Sequence, residues 1–327
     1  MKRVFSSSSE FDFRTKSAQH AFMMNESKDN TALGIAVIVA TVFTMAFTDA
    51  VIKYASADFP LWQIFVVRSL AAVPVLIVVA LCAGADIRPR ALPWALARAL
   101  LLAFMYVAIY AAIPLLSLSV IAASLYTGPI FVALLSAFVI GEPVGARGWF
   151  AVVLGFAGVL VILRPHTDTF SFYMLIPVIA GLFYALAAVI TRAKCPHEKP
   201  LSLAIMLNLC ILALGLLATG IVALLPADVG AVYPFLLGEW IVMGAREWKL
   251  IALLALLIII IGIGLAKAYQ SAPPSVIATF DYTYLLFAAL WGFVFFAELP
   301  DMPTVAGMLM IASAGWLVTG WIPSRWR

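Results

Sequence analysis

Apolar residues in this chain do not alternate with polar ones. They gather into ten long runs separated by short polar stretches rich in Gly and Pro. The runs cover approximately 32–54, 61–83, 92–115, 118–140, 147–164, 172–192, 201–225, 248–270, 275–297 and 302–321. Each is close to the about 20 apolar residues that a helix needs to cross a hydrocarbon core. The period-two alternation of a barrel strand is missing from them. The pattern predicts an all-α polytopic membrane protein with ten transmembrane helices. Residues 1–31 form a polar, Ser-rich tail without the apolar core and cleavage site of a signal peptide. It reads either as a cytoplasmic extension or as a start site placed too early.

The runs also repeat. SVIAASLYT, beginning at Ser119, returns as SVIATFDYT at Ser275. The copies stay in step through Tyr126/Tyr282 to Glu142/Glu298, tying spans four and five to spans nine and ten. A weaker echo, VIATVF (38–43) and VIAGLF (178–183), ties span one to span six. The repeat unit is therefore five helices, and an odd number makes the second copy enter the membrane from the opposite side. Residues 32–164 and 172–321 are expected to form two inverted five-helix repeats. Secondary transporters use this arrangement to hold substrate near the midplane. Only the second half holds the extra segment 226–247, expected to be an outer loop with an interfacial helix.

Composition agrees with a membrane protein. The chain is 65% hydrophobic and 11% charged, with a mean hydropathy of +1.10, against roughly 25% charged residues in soluble domains. A pI near 9.0 could suggest nucleic acid, but the basic residues follow topology. With both termini in the cytoplasm, Lys53, Arg164, Arg246 and Lys249 fall outside and Arg68 within a span. The other Lys and Arg, Arg98 among them, fall on the inner side. This positive-inside bias points to a bacterial-type inner membrane and no nucleic-acid partner. Cys82, Cys195 and Cys210 lie far apart, supporting neither a disulfide framework nor a metal site. His20, His166 and His197 fall in the tail or in loops, which argues against an intramembrane hydrolase. No phosphate-binding loop of an ATP-driven pump is present. No cofactor is indicated.

Two five-helix halves, each closing on a Glu, a nearby Pro and a Gly-containing helix, resemble the EamA-type transporters of the drug/metabolite transporter superfamily. The resemblance covers roughly 32–321, and DAVIKYASADFPLWQIFVVRSL (49–70) looks like a subgroup pattern. It implies a permease working by alternating access, not an enzyme. Members move amino acids, vitamins such as riboflavin, nucleosides, S-adenosylmethionine and drugs.

Ionisable groups inside spans are costly and mark candidate sites. Asp49 and Arg68 lie at similar depth near the outer ends of spans one and two. They are expected either to form a structural ion pair or to offer a carboxylate anchor at Arg68 gated by Asp49. Span seven, the counterpart of span two, offers only Asn208 at this level. Asp281, which replaces the Leu125 of the first copy, is a candidate to carry a proton or meet a cationic substrate group. Tyr110, Tyr126, Tyr282 and Trp291, with Tyr106, Phe183, Tyr184, Phe280 and Tyr284, would suit a flat ring. Glu142 and Glu298 read as structural helix-end residues. The expected activity is uptake of a flat polar heterocycle such as riboflavin. Export or uptake of S-adenosylmethionine or amino acids is the alternative, and an intramembrane enzyme the less favoured one.

Overall fold

The computed structural model describes residues 30–55, 59–84, 86–112, 125, 127–141, 145–163, 173, 175–226, 233–297 and 302–319. These residues are helical without a strand. Hydrocarbon offers no partner for backbone N–H and C=O groups, so long apolar runs satisfy them internally as helices. The first run gives α1 (Thr31–Ala55), then α2 (Leu61–Cys82) and α3 (Leu92–Ala112). Next come α4 (Gly128–Leu135), continued by a π-helical turn over Ser136–Ile140, and α5 (Ala146–Leu163). The second half holds α6 (Leu175–Lys194), α7 (Pro200–Val222), α8 (Ala245–Ser271), α9 (Pro274–Asp281), α10 (Thr283–Phe296) and α11 (Met302–Thr319).

Among the described residues, seven helices are long and apolar enough to span a membrane: α1, α2, α3, α6, α7, α8 and the α9–α10 unit. Shorter apolar stretches lie in the other three expected positions, at Ile130–Val139, Ala146–Gly158 and Val305–Ala314. The chain is thus a multi-pass membrane protein. The interfacial helix expected in 226–247 is reduced, among the described residues, to one turn at Pro234–Leu237.

The bundle is apolar inside and out, with a few polar groups buried among the helices. Outward faces carry Leu81, Phe138, Leu217, Ile221 and Leu309, all exposed, whereas Gln63, Arg68, Arg98, Asn208 and Asp281 are buried. Helix association without a hydrophobic driving force relies on close backbone approach at small residues. The most extensive pairing, α5 with α11, shows it. A Cβ on Gly158 would lie 2.8 Å from the Gly307 carbonyl oxygen and 3.0 Å from Met310 Cβ. Gly158→Val should therefore separate these helices, at a cost of about 1–3 kcal/mol for overpacking. The expected result is a lower thermal midpoint in detergent, with Gly158→Ala falling between.

Other major pairings are α3 with α6, α1 with α8, α2 with α7, and α1 with α10. Each end of the bundle is fastened by side chains. At one end, Trp62 Nε1 donates to the Leu236 carbonyl (2.7 Å). Beside it, the Gln63 amide pairs with both backbone groups of Ile241 (2.8 and 3.0 Å). At the other end, Glu198 accepts from the backbone N–H groups of Arg90 (3.0 Å) and Ala91 (2.7 Å). There Ser202 donates to the Asp86 carbonyl, and Gln270 donates to the carbonyls of Cys195 and Glu198.

Candidate functional site

Positions 98, 102, 106 and 110 repeat every four residues along α3, so they share one face. That face places Arg98, Leu102, Tyr106 and Tyr110 in a buried line about 18 Å long, at 1.5 Å per residue. The α9–α10 unit brings Tyr284 near Tyr110 of that face. Its two segments meet at Tyr282, whose backbone keeps right-handed helical angles (φ −58°, ψ −20°), with Asp281 and Tyr284 on either side. Two polar clusters form between these rails.

The first cluster lies toward the α2 N-terminus. Asp49 accepts a hydrogen bond from Tyr284 Oη at 2.7 Å. Tyr106 and Tyr110 stack, their ring centroids 6.1 Å apart with the planes at 24°, and Tyr110 meets Phe65 edge-on at 5.8 Å. Arg68 is fully buried, with its guanidinium 5.3 Å from the centre of the Phe65 ring and facing Tyr106 and Tyr110. Tyr110 Oη lies beside it, and among the described residues none of the three guanidinium nitrogens is held in a well-formed hydrogen bond.

The second cluster lies next to the first, Asp281 being three residues before Tyr284. Asp281 is 5% exposed, and its carboxylate faces the Tyr184 hydroxyl. Tyr269 Oη donates to Tyr184 Oη at 3.3 Å. A narrow crevice lined by Arg98, Leu102, Tyr184, Thr191, Leu265 and Tyr269 continues from this pair. Arg98 Nε donates to Thr191 Oγ1 at 2.6 Å. Tyr106 faces both Arg68 and Arg98, so the clusters meet on α3. Each contains one Asp, one Arg and several tyrosines.

Residues 32–164 match the EamA-like transporter family. A pseudopaline exporter of Pseudomonas aeruginosa is 25% identical over 86% of this chain and 94% of its own. Over residues 32–164 the chain is therefore similar to the EamA-like transporters. A riboflavin transporter of Vibrio cholerae is 28% identical over 62% of this chain and 54% of that protein. An S-adenosylmethionine uptake transporter of Rickettsia prowazekii is 27% identical over 57% of this chain and 58% of its own. One solved crystal structure, 17% identical, superposes on 89% of this chain and 96% of its own with a TM-score of 0.68, so the two share a fold.

The expected Asp49–Arg68 ion pair is not formed. Asp49 takes Tyr284 instead, because the face α10 presents to α1 carries the Tyr284 hydroxyl within reach of the carboxylate. Tyr110, Tyr106, Tyr184 and Tyr284 join the clusters. Tyr282, fully buried, lays its ring on α5, where a Cβ on Gly155 would come within 2.8 Å of it. Trp291 sits apart, among Phe43, Phe47 and Phe295. Tyr126, Glu142 and Glu298 lie outside the described residues. The structure adds Arg98, Thr191 and Tyr269. Arg98 is not an inner-surface charge but a 1% exposed residue two turns inside α3. Its four-residue register with Tyr106 and Tyr110 was the available signal.

Proposed function

We propose that this chain is a secondary permease that moves a small organic metabolite across the cytoplasmic membrane by alternating access. Its ten spans form two inverted repeats, residues 32–164 and 172–321, with both termini in the cytoplasm. The observation that carries this reading is the pair of end fastenings. Trp62 and Ser202 occupy matching positions of the two halves, in register with Pro60/Pro200 and Arg68/Asn208. Each donates to a carbonyl in the loop after the other half's second helix, and they do so at opposite ends of the bundle. Such a pair is what a two-sided gate built from an inverted repeat requires.

The helix pairings support the same reading. Exchanging counterparts maps α1–α8 onto α3–α6, α3–α7 onto α2–α8, and α4–α6 onto α1–α9. The α2–α7, α4–α9 and α5–α11 pairings map onto themselves; α7–α8 has no counterpart of similar extent. The family match over residues 32–164 covers the first proposed repeat.

The substrate enters between the α3 line and the α9–α10 unit, where tyrosine rings flank the path. Asp281 carries the coupling proton or meets a cationic substrate group, and Glu142 and Glu298 close their spans as structural residues. The relatives named for riboflavin and S-adenosylmethionine support testing those two compounds first, with amino acids next and uptake as the direction. Liposomes holding the purified protein should accumulate one of them when a proton gradient is imposed. Chemical conversion of a substrate in detergent, without flux in liposomes, would sink the permease reading in favour of an enzyme.

Sidedness has its own test. Cys195 is 1% exposed and burial pushes its thiol up to about 11, so its silence toward thiol reagents reports burial, not side. Gly238 is a poor probe, because a Cβ there would collide with the Pro234 carbonyl. Val242, 98% exposed, and the exposed His197 are better placed. In a Cys-free background, Val242→Cys should react with an impermeant maleimide in intact cells. His197→Cys should react only after permeabilisation. The reverse pattern would invert the assigned topology.

A further inference from the structure

We infer that Arg68 is the anchor for a carboxylate on the transported molecule, so that the substrate is an organic acid or zwitterion and not a neutral heterocycle. This rests on the permease reading and narrows its substrate class.

Buried polar groups in folded proteins are almost always hydrogen-bonded. Burying a charge without partners is among the least favourable arrangements a protein can hold. Arg68 has 0% exposure, and among the described residues only the Tyr110 hydroxyl approaches its guanidinium, none of whose three nitrogens is held in a well-formed hydrogen bond. Asp49, the acid at its level, is engaged by Tyr284. The guanidinium plane is a fixed fork whose parallel N–H groups match the two oxygens of a carboxylate.

The surroundings fit a ring-bearing acid. Phe65 lies against one side of the guanidinium, and the stacked Tyr106–Tyr110 pair lines the adjoining wall. An ammonium on the same molecule would find Asp49 across the first cluster, or Asp281 in the second. Arg98 shares this property only in part, because its Nε is bonded to Thr191 and one terminal nitrogen alone is left without a partner. Nor does the fold need the charge: the matching position on α7 is Asn208, whose amide nitrogen simply bonds back to the Ala204 carbonyl at 3.0 Å.

The test uses the purified full-length chain in detergent, where binding is read without flux. Matched probes differ only at the acid: benzoate against benzamide, phenylalanine against phenylalaninamide, and S-adenosylmethionine against its decarboxylated form. Riboflavin serves as the neutral ring. Thermal stabilisation should appear with at least one acid and be absent with its partner. Arg68→Gln should abolish it. Arg68→Lys, which keeps charge and approximate length, should weaken the apparent affinity roughly tenfold, since the fork is lost. If Arg68→Gln does not yield a monodisperse protein, Arg68→Lys and the matched pairs alone decide. Equal stabilisation by acid and neutral partner, by riboflavin alone, or by chloride at the same ionic strength would overturn the carboxylate anchor, as would an Arg68→Lys protein with unchanged affinity. Binding of an acid without flux in liposomes would leave the anchor standing and count against the permease reading alone.

Discussion

Replacing Asp281 with Asn is expected to leave a folded, membrane-inserted protein that no longer accumulates substrate against a gradient. Asn has nearly the same shape and can still accept a hydrogen bond from the Tyr184 hydroxyl that faces Asp281. What it lacks is the ability to gain and lose a proton. Asp281 adjoins Tyr282, where α9 meets α10, and an ionisable group at membrane depth is costly enough to mark a functional site. The carboxylate faces Tyr184, which leads through Tyr269 to the Arg98 crevice. Gradient-driven accumulation should fall to background while counterflow exchange, which needs no net proton movement, persists. Asp281→Glu should recover part of the accumulation. Tyr184→Phe, which removes only the hydroxyl, should weaken coupling while sparing counterflow. Unchanged accumulation and unchanged pH dependence in Asp281→Asn would reduce Asp281 to a structural residue.

Much of the framework is legible in the letters because the bilayer enforces it. Apolar runs of membrane length can only be helices, so α1, α2 and α3 begin and end within a few residues of their expected bounds. Small residues were equally readable: Gly155 and Gly158 mark α5 as a helix packed closely on its neighbours. The partners of the ionisable groups were not readable, for a physical reason. Depth along a span follows from counting residues, but the face a neighbour presents depends on helix rotation and crossing, which a single span does not encode. Asp49 and Arg68 share a depth, yet Tyr284, far away in sequence, reaches Asp49 instead. Arg98 was hidden by a different rule. A charge two turns from a membrane edge can ordinarily snorkel to water along its stem, and only its register with Tyr106 and Tyr110 hints that it turns inward. The latches escaped notice because they join side chains to loop backbone, where composition carries no signal.

The second large effect is expected at Glu198. Its carboxylate is 9% exposed and holds the α2–α3 loop through the N–H groups of Arg90 and Ala91. Hydrogen bonds to a charged group contribute about 1.5–3 kcal/mol each. Breaking both should move a two-state equilibrium by tenfold or more toward the state open at that end. The Trp62 and Gln63 fastening at the other end uses neutral donors, each contributing about 0.5–1.5 kcal/mol, so Gln63→Ala should shift the balance less and in the opposite sense. Leu102, 1% exposed and lining the Arg98 crevice, can report the difference as Leu102→Cys in a Cys-free background. Thiol labelling from the cytoplasmic side should accelerate in Glu198→Ala and slow or stay constant in Gln63→Ala. Glu198→Gln should fall between, because its amide oxygen can still accept one of the two N–H groups. Equal labelling rates in Glu198→Ala and the parent would mean that this contact only caps a loop. A transporter gated at both ends must respond with opposite signs to the loss of its two latches, and a merely structural contact has no reason to.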